Sequence, residues 1–314
     1  MEKYADVSRP HLLPVLDAEA RQAAELYPLH LPAAWARRID WHNPQDPLYR
    51  QVIPSAEELR SVEGFVDDPL QEAEARRAPG LLQKYQGRVL LQVSSQCAIH
   101  CRFCFRRHET YAEQPSRPEE WTPALEWIAA DPSIHEVVLS GGDPLMLAEA
   151  SLRLLVERLA AIPHLRRLRI HSRVPVVSPQ RLSTALLQAI TAHRLTPVLV
   201  IHCNHPAELD PTVLEGLARL LRAGVLLLSQ SVLLKGINDD ADVLAALFET
   251  LANHRVLPYY LHLLDPVAGT AHFQVESAQA LALLQQLRAR LPGYAVPKLV
   301  REQAGHPAKT PVEG

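Results

Sequence analysis

Three of the chain's four cysteines fall within eight residues, Cys97-Ala98-Ile99-His100-Cys101-Arg102-Phe103-Cys104, and the fourth, Cys203, lies far along the sequence. Thiolates spaced like Cys97, Cys101 and Cys104 can each bind one iron of a cubic [4Fe–4S] cluster and leave the fourth iron open to a small molecule. A structural zinc is the competing reading. It takes four ligands, usually as two separated pairs, and no second cysteine pair follows; His100 or His108 could complete the set only in a cramped loop. An electron-carrying iron–sulfur protein would normally supply four cysteines. Four cysteines in 314 residues, three of them crowded together, describe a reduced protein rather than a disulfide scaffold.

The elements that must position this cluster follow from the apolar pattern. Short runs rich in β-branched residues predict buried parallel strands at Arg88–Ser95, Glu136–Ser140, Arg167–Ser172, Pro197–His202, Val225–Val232 and Pro258–Leu264. Helices are predicted between and after them at Pro118–Ala130, Ala148–Ile162, Pro179–His193, Asp210–Ala223, Ala241–Asn253 and Ser277–Leu291, where apolar residues recur at three- and four-residue steps. Strand–helix units in succession give an α/β fold with a parallel sheet wound in one hand, as a partial barrel or a strongly curved open sheet. Ser178-Pro179 and Asp210-Pro211 read as helix starts and Gly224 as a helix stop.

The predicted organisation is a helical N-terminal extension over residues 1–84, a strand–helix core over 85–293 and a loop-like C-terminal segment over 294–314. Reactive groups in such folds gather at the carboxyl ends of the strands. Cys97 follows the first strand, Gly141-Gly142-Asp143 the second, His171-Ser172-Arg173 the third and His202-Cys203-Asn204-His205 the fourth. Ser229-Gln230-Ser231 and Lys235 lie on or after the fifth, and Asp265 closes the sixth.

With 32 basic and 35 acidic residues the net charge is −3, which offers no global footprint for nucleic acid. No apolar run reaches the ~18 residues of a spanning helix, and Met1-Glu2-Lys3-Tyr4-Ala5-Asp6 lacks a signal-like pattern. A cytoplasmic protein without membrane or nucleic-acid partners is expected. The sequence leaves its oligomeric state open, a homo-oligomer included.

Cys-x3-Cys-x2-Cys followed by Gly141-Gly142-Asp143-Pro144 resembles the radical S-adenosylmethionine enzymes. Within them, four further segments are similar to lysine 2,3-aminomutases: Cys101-Arg102-Phe103-Cys104-Phe105-Arg106-Arg107-His108, Ser172-Arg173-Val174-Pro175-Val176-Val177, Gln230 to Asp239, and Lys309-Thr310-Pro311. Pro258-Tyr259-Tyr260-Leu261-His262 and the short stretch after Lys309 are most like the branch associated with elongation factor P. The resemblance runs from about Asp40 to Pro311 and implies a partial (β/α)6 TIM-like barrel.

That resemblance assigns roles the residues alone would not reveal. It implies a [4Fe–4S] cluster on Cys97, Cys101 and Cys104, with S-adenosylmethionine against Gly141, Gly142, Asp143, His202 and Gln230. Pyridoxal 5′-phosphate is implied on Lys309, flanked by Tyr85 and Arg88. Arg106 is implied to pair with the carboxylate of L-lysine, and Asp265 and Glu302 to hold its distal ammonium. The longer catabolic enzymes have aspartate where Glu302 stands, and asparagine is frequent in relatives where Ser229 stands. The implied reaction moves the α-amine of lysine to the β-carbon after a 5′-deoxyadenosyl radical abstracts hydrogen. Implied partners are an external electron donor of flavodoxin or ferredoxin type, elongation factor P, and the lysyl ligase that attaches β-lysine to it.

Overall fold

Valine, leucine and isoleucine run without interruption through Val137-Val138-Leu139 and Val198-Leu199-Val200-Ile201, and all of these side chains are buried. Strands buried on both faces need helices on the outer face, and the helices supply them with apolar stripes: Val213, Gly216, Leu217 and Leu220 make one such stripe. The computed structural model describes residues 16–109 and 114–313. Residues 1–15 of the expected extension, including the stretch read as lacking a signal pattern, and Gly314 of the expected C-terminal segment lie outside them.

The extension contributes α1 (Ala18–Leu26) and the single turns α2 (Ala33–Ala36) and α3 (Pro47–Arg50), then β1 (Arg76–Ala78) and β2 (Leu81–Tyr85). The core alternates β3 (Arg88–Ser94), α4 (Thr122–Ala130), β4 (Glu136–Gly141), α5 (Glu149–Ala160) and β5 (Arg167–Ser172). It continues with α6 (Val174–Val177), α7 (Thr184–Thr191), β6 (Thr196–His202), α8 (Pro211–Arg222), β7 (Leu226–Val232), α9 (Ala241–Asn253), β8 (Leu257–His262) and α10 (Ser277–Arg290). Two last strands follow, β9 (Lys298–Arg301) and β10 (Thr310–Pro311).

Among the described residues the ten strands form one sheet in sequence order. From β3 to β9 every pairing is parallel, while β1–β2, β2–β3 and β9–β10 are antiparallel. Laid flat, β2 and β9 would stand seven spacings of about 4.8 Å, roughly 34 Å, apart. Lys84 on β2 nevertheless meets Glu302, the residue after β9, at 2.9 Å. The sheet therefore curls until its two ends face each other, as a partial barrel must.

The sheet is longer at both ends than the sequence suggests. β1 and β2 fall in the stretch expected to be helical, and β9 and β10 in the one expected to be loop. Charge and brevity hid them: Arg76 and Arg77 of β1 are exposed, and β10 is a two-residue edge ending in proline. A second difference concerns Ser178. It makes no side-chain cap; Pro179–Arg181 form a 3-10 turn, and α7 starts later, where Ser183 Oγ accepts from the Leu186 N–H at 3.0 Å. Asp210 does cap α8, and Gly224 takes φ +84° just past its end. Among the described residues no helix is long and apolar enough to cross a membrane.

Candidate active site

The cysteine loop after β3 is clamped from two sides. From the extension, the His30 and Gln51 carbonyls accept from the N–H groups of His100 and Arg102 at 3.0 and 2.9 Å. The buried Arg102 guanidinium donates to both oxygens of Glu58 and to the carbonyls of Tyr27 and Ala23. From β4, the N–H groups of Gly142 and Asp143 donate to the carbonyls of Ser94 and Gln96 at 2.8 and 2.7 Å. This contact requires glycine: a Cβ on residue 142 would lie 2.4 Å from the Gln96 oxygen, and Gly141 sits at φ +110°. The glycine pair thus seats the cysteine loop on the neighbouring strand.

Cys97, Cys101 and Cys104 form no disulfide among the described residues and line one cavity. Burial pushes the Cys97 thiol well up, and the prospective charges of Cys104, Asp143 and Cys101 push it further. Thiols so placed need a strong positive centre to become thiolates together, which is what an iron cluster supplies. Among the described residues no three His, Cys, Asp or Glu side chains converge on a single ion. A cube with one thiolate on each of three irons does not ask for such convergence. His100 and His108, the spare zinc ligands, each give one ring nitrogen to a backbone carbonyl, of Pro28 and Ala268 respectively.

Asp143 works as an organiser. Its carboxylate accepts from the backbone N–H groups of Leu145, Arg173 and Val174 and from Ser172 Oγ, tying the end of β4 to that of β5, although burial still raises its pKa. His202 lines the cavity with its pKa lowered to about 3, by burial first and then by Arg173; the neutral ring pairs through Nε2 with Asn204 Oδ1 at 3.1 Å. Gln230 reaches the same cavity from β7. Lys235 is exposed and Cys203 is buried, and neither lines it.

A chain of ion pairs crosses the cavity. Arg106 donates from Nε and Nη2 to the two oxygens of Glu72, each at 2.8 Å, and from Nη1 to Ser140 Oγ at 3.2 Å. Lys84 joins Glu72 to Glu302 at 2.9 Å on both sides, and Glu302 also pairs with Lys309. Burial would raise the Glu302 carboxyl, but Lys309 and Lys84 outweigh it and hold it down at about 2. Among the described residues no ion pair holds Asp265, and burial followed by the Glu302 charge outweighs the more distant Lys309 and Lys84 and pushes it up to about 7. Tyr85 and Arg88 face each other across the β2–β3 turn, the guanidinium 4.6 Å from the ring centre.

The residues singled out in the sequence therefore share one cavity: the three cysteines, Tyr85, Arg88, Arg106, Gly141, Gly142, Asp143, His202, Gln230, Asp265, Glu302 and Lys309 all line it. Sequence reasoning missed Glu72 and Lys84. It also did not single out His171 and His262 as a pair, both well below the usual histidine pKa through burial and both with Nε2 unpartnered. The Lys84-Tyr85 adjacency was the one available signal for Lys84; Glu72 had none.

Comparison with known proteins gives a consistent picture. Residues 91–247 match the profile of the Radical SAM superfamily. The chain is 46% identical over 303 residues to an L-lysine 2,3-aminomutase of Escherichia coli, covering 95% of this chain and 88% of that one. It is 46% identical over 299 residues to the enzyme of the same name from Haemophilus influenzae, with the same coverage. Against the Clostridium subterminale L-lysine 2,3-aminomutase the identity is 37% over 276 residues, covering 87% of this chain and 66% of that one.

Proposed function

The chain belongs to the L-lysine 2,3-aminomutase family of the Radical SAM superfamily and is an isomerase; on that premise we propose that it converts L-α-lysine to β-lysine using a [4Fe–4S] cluster, S-adenosylmethionine and pyridoxal phosphate. The observation that carries this reading is the order of charge in one cavity. Three thiols are followed by Arg106, whose charge Cys97 feels, then by the acids Glu302 and Asp265 with Lys309 beside them. A lysine molecule, with a carboxylate at one end and an ammonium at the other, is the complement of that order.

When bound, the cluster and S-adenosylmethionine supply hydrogen-atom chemistry, and pyridoxal phosphate supplies the conjugated system through which an amine can migrate. Cys97, Cys101 and Cys104 would hold the cluster, and Gly141, Gly142, Asp143, His202 and Gln230 would face S-adenosylmethionine. Lys309 would hold pyridoxal phosphate, with Tyr85 and Arg88 beside it. Arg106, whose guanidinium is oriented by Glu72 and Ser140, would pair with the substrate carboxylate. Asp265 and Glu302 would take the distal ammonium, and the longer arm of Glu302 already bridges two lysines. Leu82, Val89, Ile99, Phe103, Val138 and Leu264 are among the apolar side chains of the wall, which would keep water from a reactive intermediate.

Identity to the E. coli and H. influenzae proteins is higher than to the clostridial one. This supports the branch resemblance and, with it, a role in making β-lysine for attachment to elongation factor P by a separate ligase. Reduction of the cluster would draw on a flavodoxin- or ferredoxin-type donor. The test is anaerobic reconstitution with iron, sulfide and pyridoxal phosphate, followed by lysine, S-adenosylmethionine and reductant, with chiral analysis of the product. β-Lysine is expected from the wild type and none from Lys309→Ala; β-lysine at the wild-type rate from the variant would overturn the assignment.

A further inference from the structure

Arg173 lies directly after β5 and is buried. Its Nη1 donates to the Cys101 sulfur at 2.7 Å, and its Nη2 donates to Gln51 Oε1 at 2.6 Å and meets Glu208 Oε2 at 3.3 Å. The rings of Trp35 and Phe103 lie 4.7 and 5.4 Å from its guanidinium carbon. Its own backbone N–H is anchored on Asp143 Oδ2 at 2.8 Å, so the strand end fixes where the fork points. Glu208 is fully buried and is fixed in turn: its Oε1 accepts from Gln51 Nε2 and from the backbone N–H groups of Asn204 and His205.

A buried cation is costly unless paired, and Glu208 supplies the pair. That accounts for one face of the guanidinium and leaves the other aimed at a single sulfur. A backbone carbonyl would satisfy an arginine donor as well; a cysteine expected to bind iron is a specific target. Hydrogen bonds and charge at ligand sulfurs are among the levers that set the potential of an iron–sulfur cluster.

We propose that Arg173 is a positioning residue that tunes the cluster: its Nη1–H bond to the Cys101 sulfur stabilises the reduced state, and Glu208 on its other side limits that effect. This rests on the assignment of Cys101 as a cluster ligand. One-electron reduction adds negative charge that spreads onto the ligand sulfurs. A fixed donor and cation at one of them favour the reduced form, and the low dielectric around this residue keeps the effect from being screened. Neutralising Glu208 should therefore act in the opposite direction to neutralising Arg173.

The test is a mediated redox titration of the reconstituted full-length protein, without S-adenosylmethionine or lysine, following the paramagnetic reduced cluster. Arg173→Met is expected to lower the equilibrium constant for reduction about tenfold, which is ~59 mV more negative for one electron. Glu208→Gln leaves the bond to sulfur in place and is expected to raise it by a similar factor. A fully iron-loaded Arg173→Met protein that reduces at the wild-type potential overturns the proposal. Should the variants fail to hold iron, the wild type decides: with arginine labelled by nitrogen-15 at the guanidinium, the reduced cluster should show hyperfine coupling to one such nitrogen. A loaded wild type without that coupling overturns the proposal alone. A wild type that assembles no cluster overturns it together with the functional reading.

Discussion

Glu72 grips Arg106 by both carboxylate oxygens, at 2.8 Å each, on the Nε edge of the guanidinium. The cation proposed to meet the substrate carboxylate is thus oriented before any ligand arrives, and Lys84 ties that grip to Glu302 and so to Lys309. Glu72→Gln should destabilise the protein by about 3 kcal/mol, the scale for breaking a buried ion pair. It should raise the KM for lysine more than it lowers kcat. Chemical denaturation and steady-state kinetics check both, and an unchanged KM would separate Glu72 from substrate binding.

Arg106→Lys keeps the charge and loses the planar fork. A lysine cannot face Glu72, Ser140 and a second carboxylate with fixed geometry. Loss of one charge-assisted bond, about 1.5–3 kcal/mol, corresponds to a fall in kcat/KM of tenfold or more. Wild-type kinetics would reduce Arg106 to a structural cation beside the cluster.

Asp265 gives the expected pH dependence. Its carboxyl is pushed up to about 7, whereas an ordinary lysine ammonium stays charged to ~10, so binding calls for the ionised acid. For lysine, kcat/KM should climb as pH rises through 7 and level off about one unit above, with proton release on binding. Asp265→Asn should abolish the climb and weaken lysine more than S-adenosylmethionine. A flat wild-type profile, or equal loss of both ligands in titrations of the variant, would contradict this.

The two acids also pull stability in opposite directions. The Glu302 carboxyl, held at about 2, lies below its unfolded value of ~4.3. Its contribution is therefore present above ~4.3 and is lost as pH falls toward 2. Asp265, raised to about 7, lies above its unfolded value of ~3.9, so its protonated form favours the fold and that contribution is lost as pH rises from ~3.9 through 7. Glu302→Gln should flatten the acid limb of unfolding free energy against pH, and Asp265→Asn the limb between 4 and 7. Unaltered limbs in urea titrations would count against these ionisation states.

Gly142→Ala tests the seating of the cysteine loop. The added Cβ would meet backbone atoms of Gln96 at 2.4, 2.7 and 2.9 Å, so the loop must move. At Gly216 the nearest atom is the Leu182 Cδ1 side-chain carbon at 3.0 Å, within a helix. Gly142→Ala should lose most of its iron after reconstitution, while Gly216→Ala keeps it and changes stability by no more than ~1 kcal/mol. Equal iron contents, read by colorimetric assay, would show that the glycine pair does not place the cysteines.

The parallel core was legible because Val137-Val138-Leu139 and its counterparts carry burial on both faces in their composition, a strong local signal. The cysteine triplet was legible because spacing alone restricts what three thiolates can bind. Lys309 became legible only through resemblance, since a lysine among glycine and prolines has no local mark of burial. Glu72 and Lys84 stayed hidden for a related reason. Charged residues usually belong to solvent, and what holds these two in the cavity is long-range pairing, Glu72 with Arg106 and Lys84 with Glu302 more than 200 residues on. Ser178 and Ser183 carry the same capping chemistry, and tertiary packing of the Pro179–Arg181 turn chose between them.

The curled sheet has one further consequence. Every adjacent pair of its strands is joined by peptide hydrogen bonds, which cannot part locally without leaving polar groups stranded. Across the opening, β2 meets the end of β9 through a side-chain latch, Lys84 with Glu302, while the Val66–Val267 bridge adds backbone hydrogen bonds beside it. Ions can trade partners with water or an incoming anion one bond at a time, which a peptide ladder cannot do. Glu302 of that latch is also the partner of Lys309, so a change at the latch reaches Lys309 through one shared carboxylate.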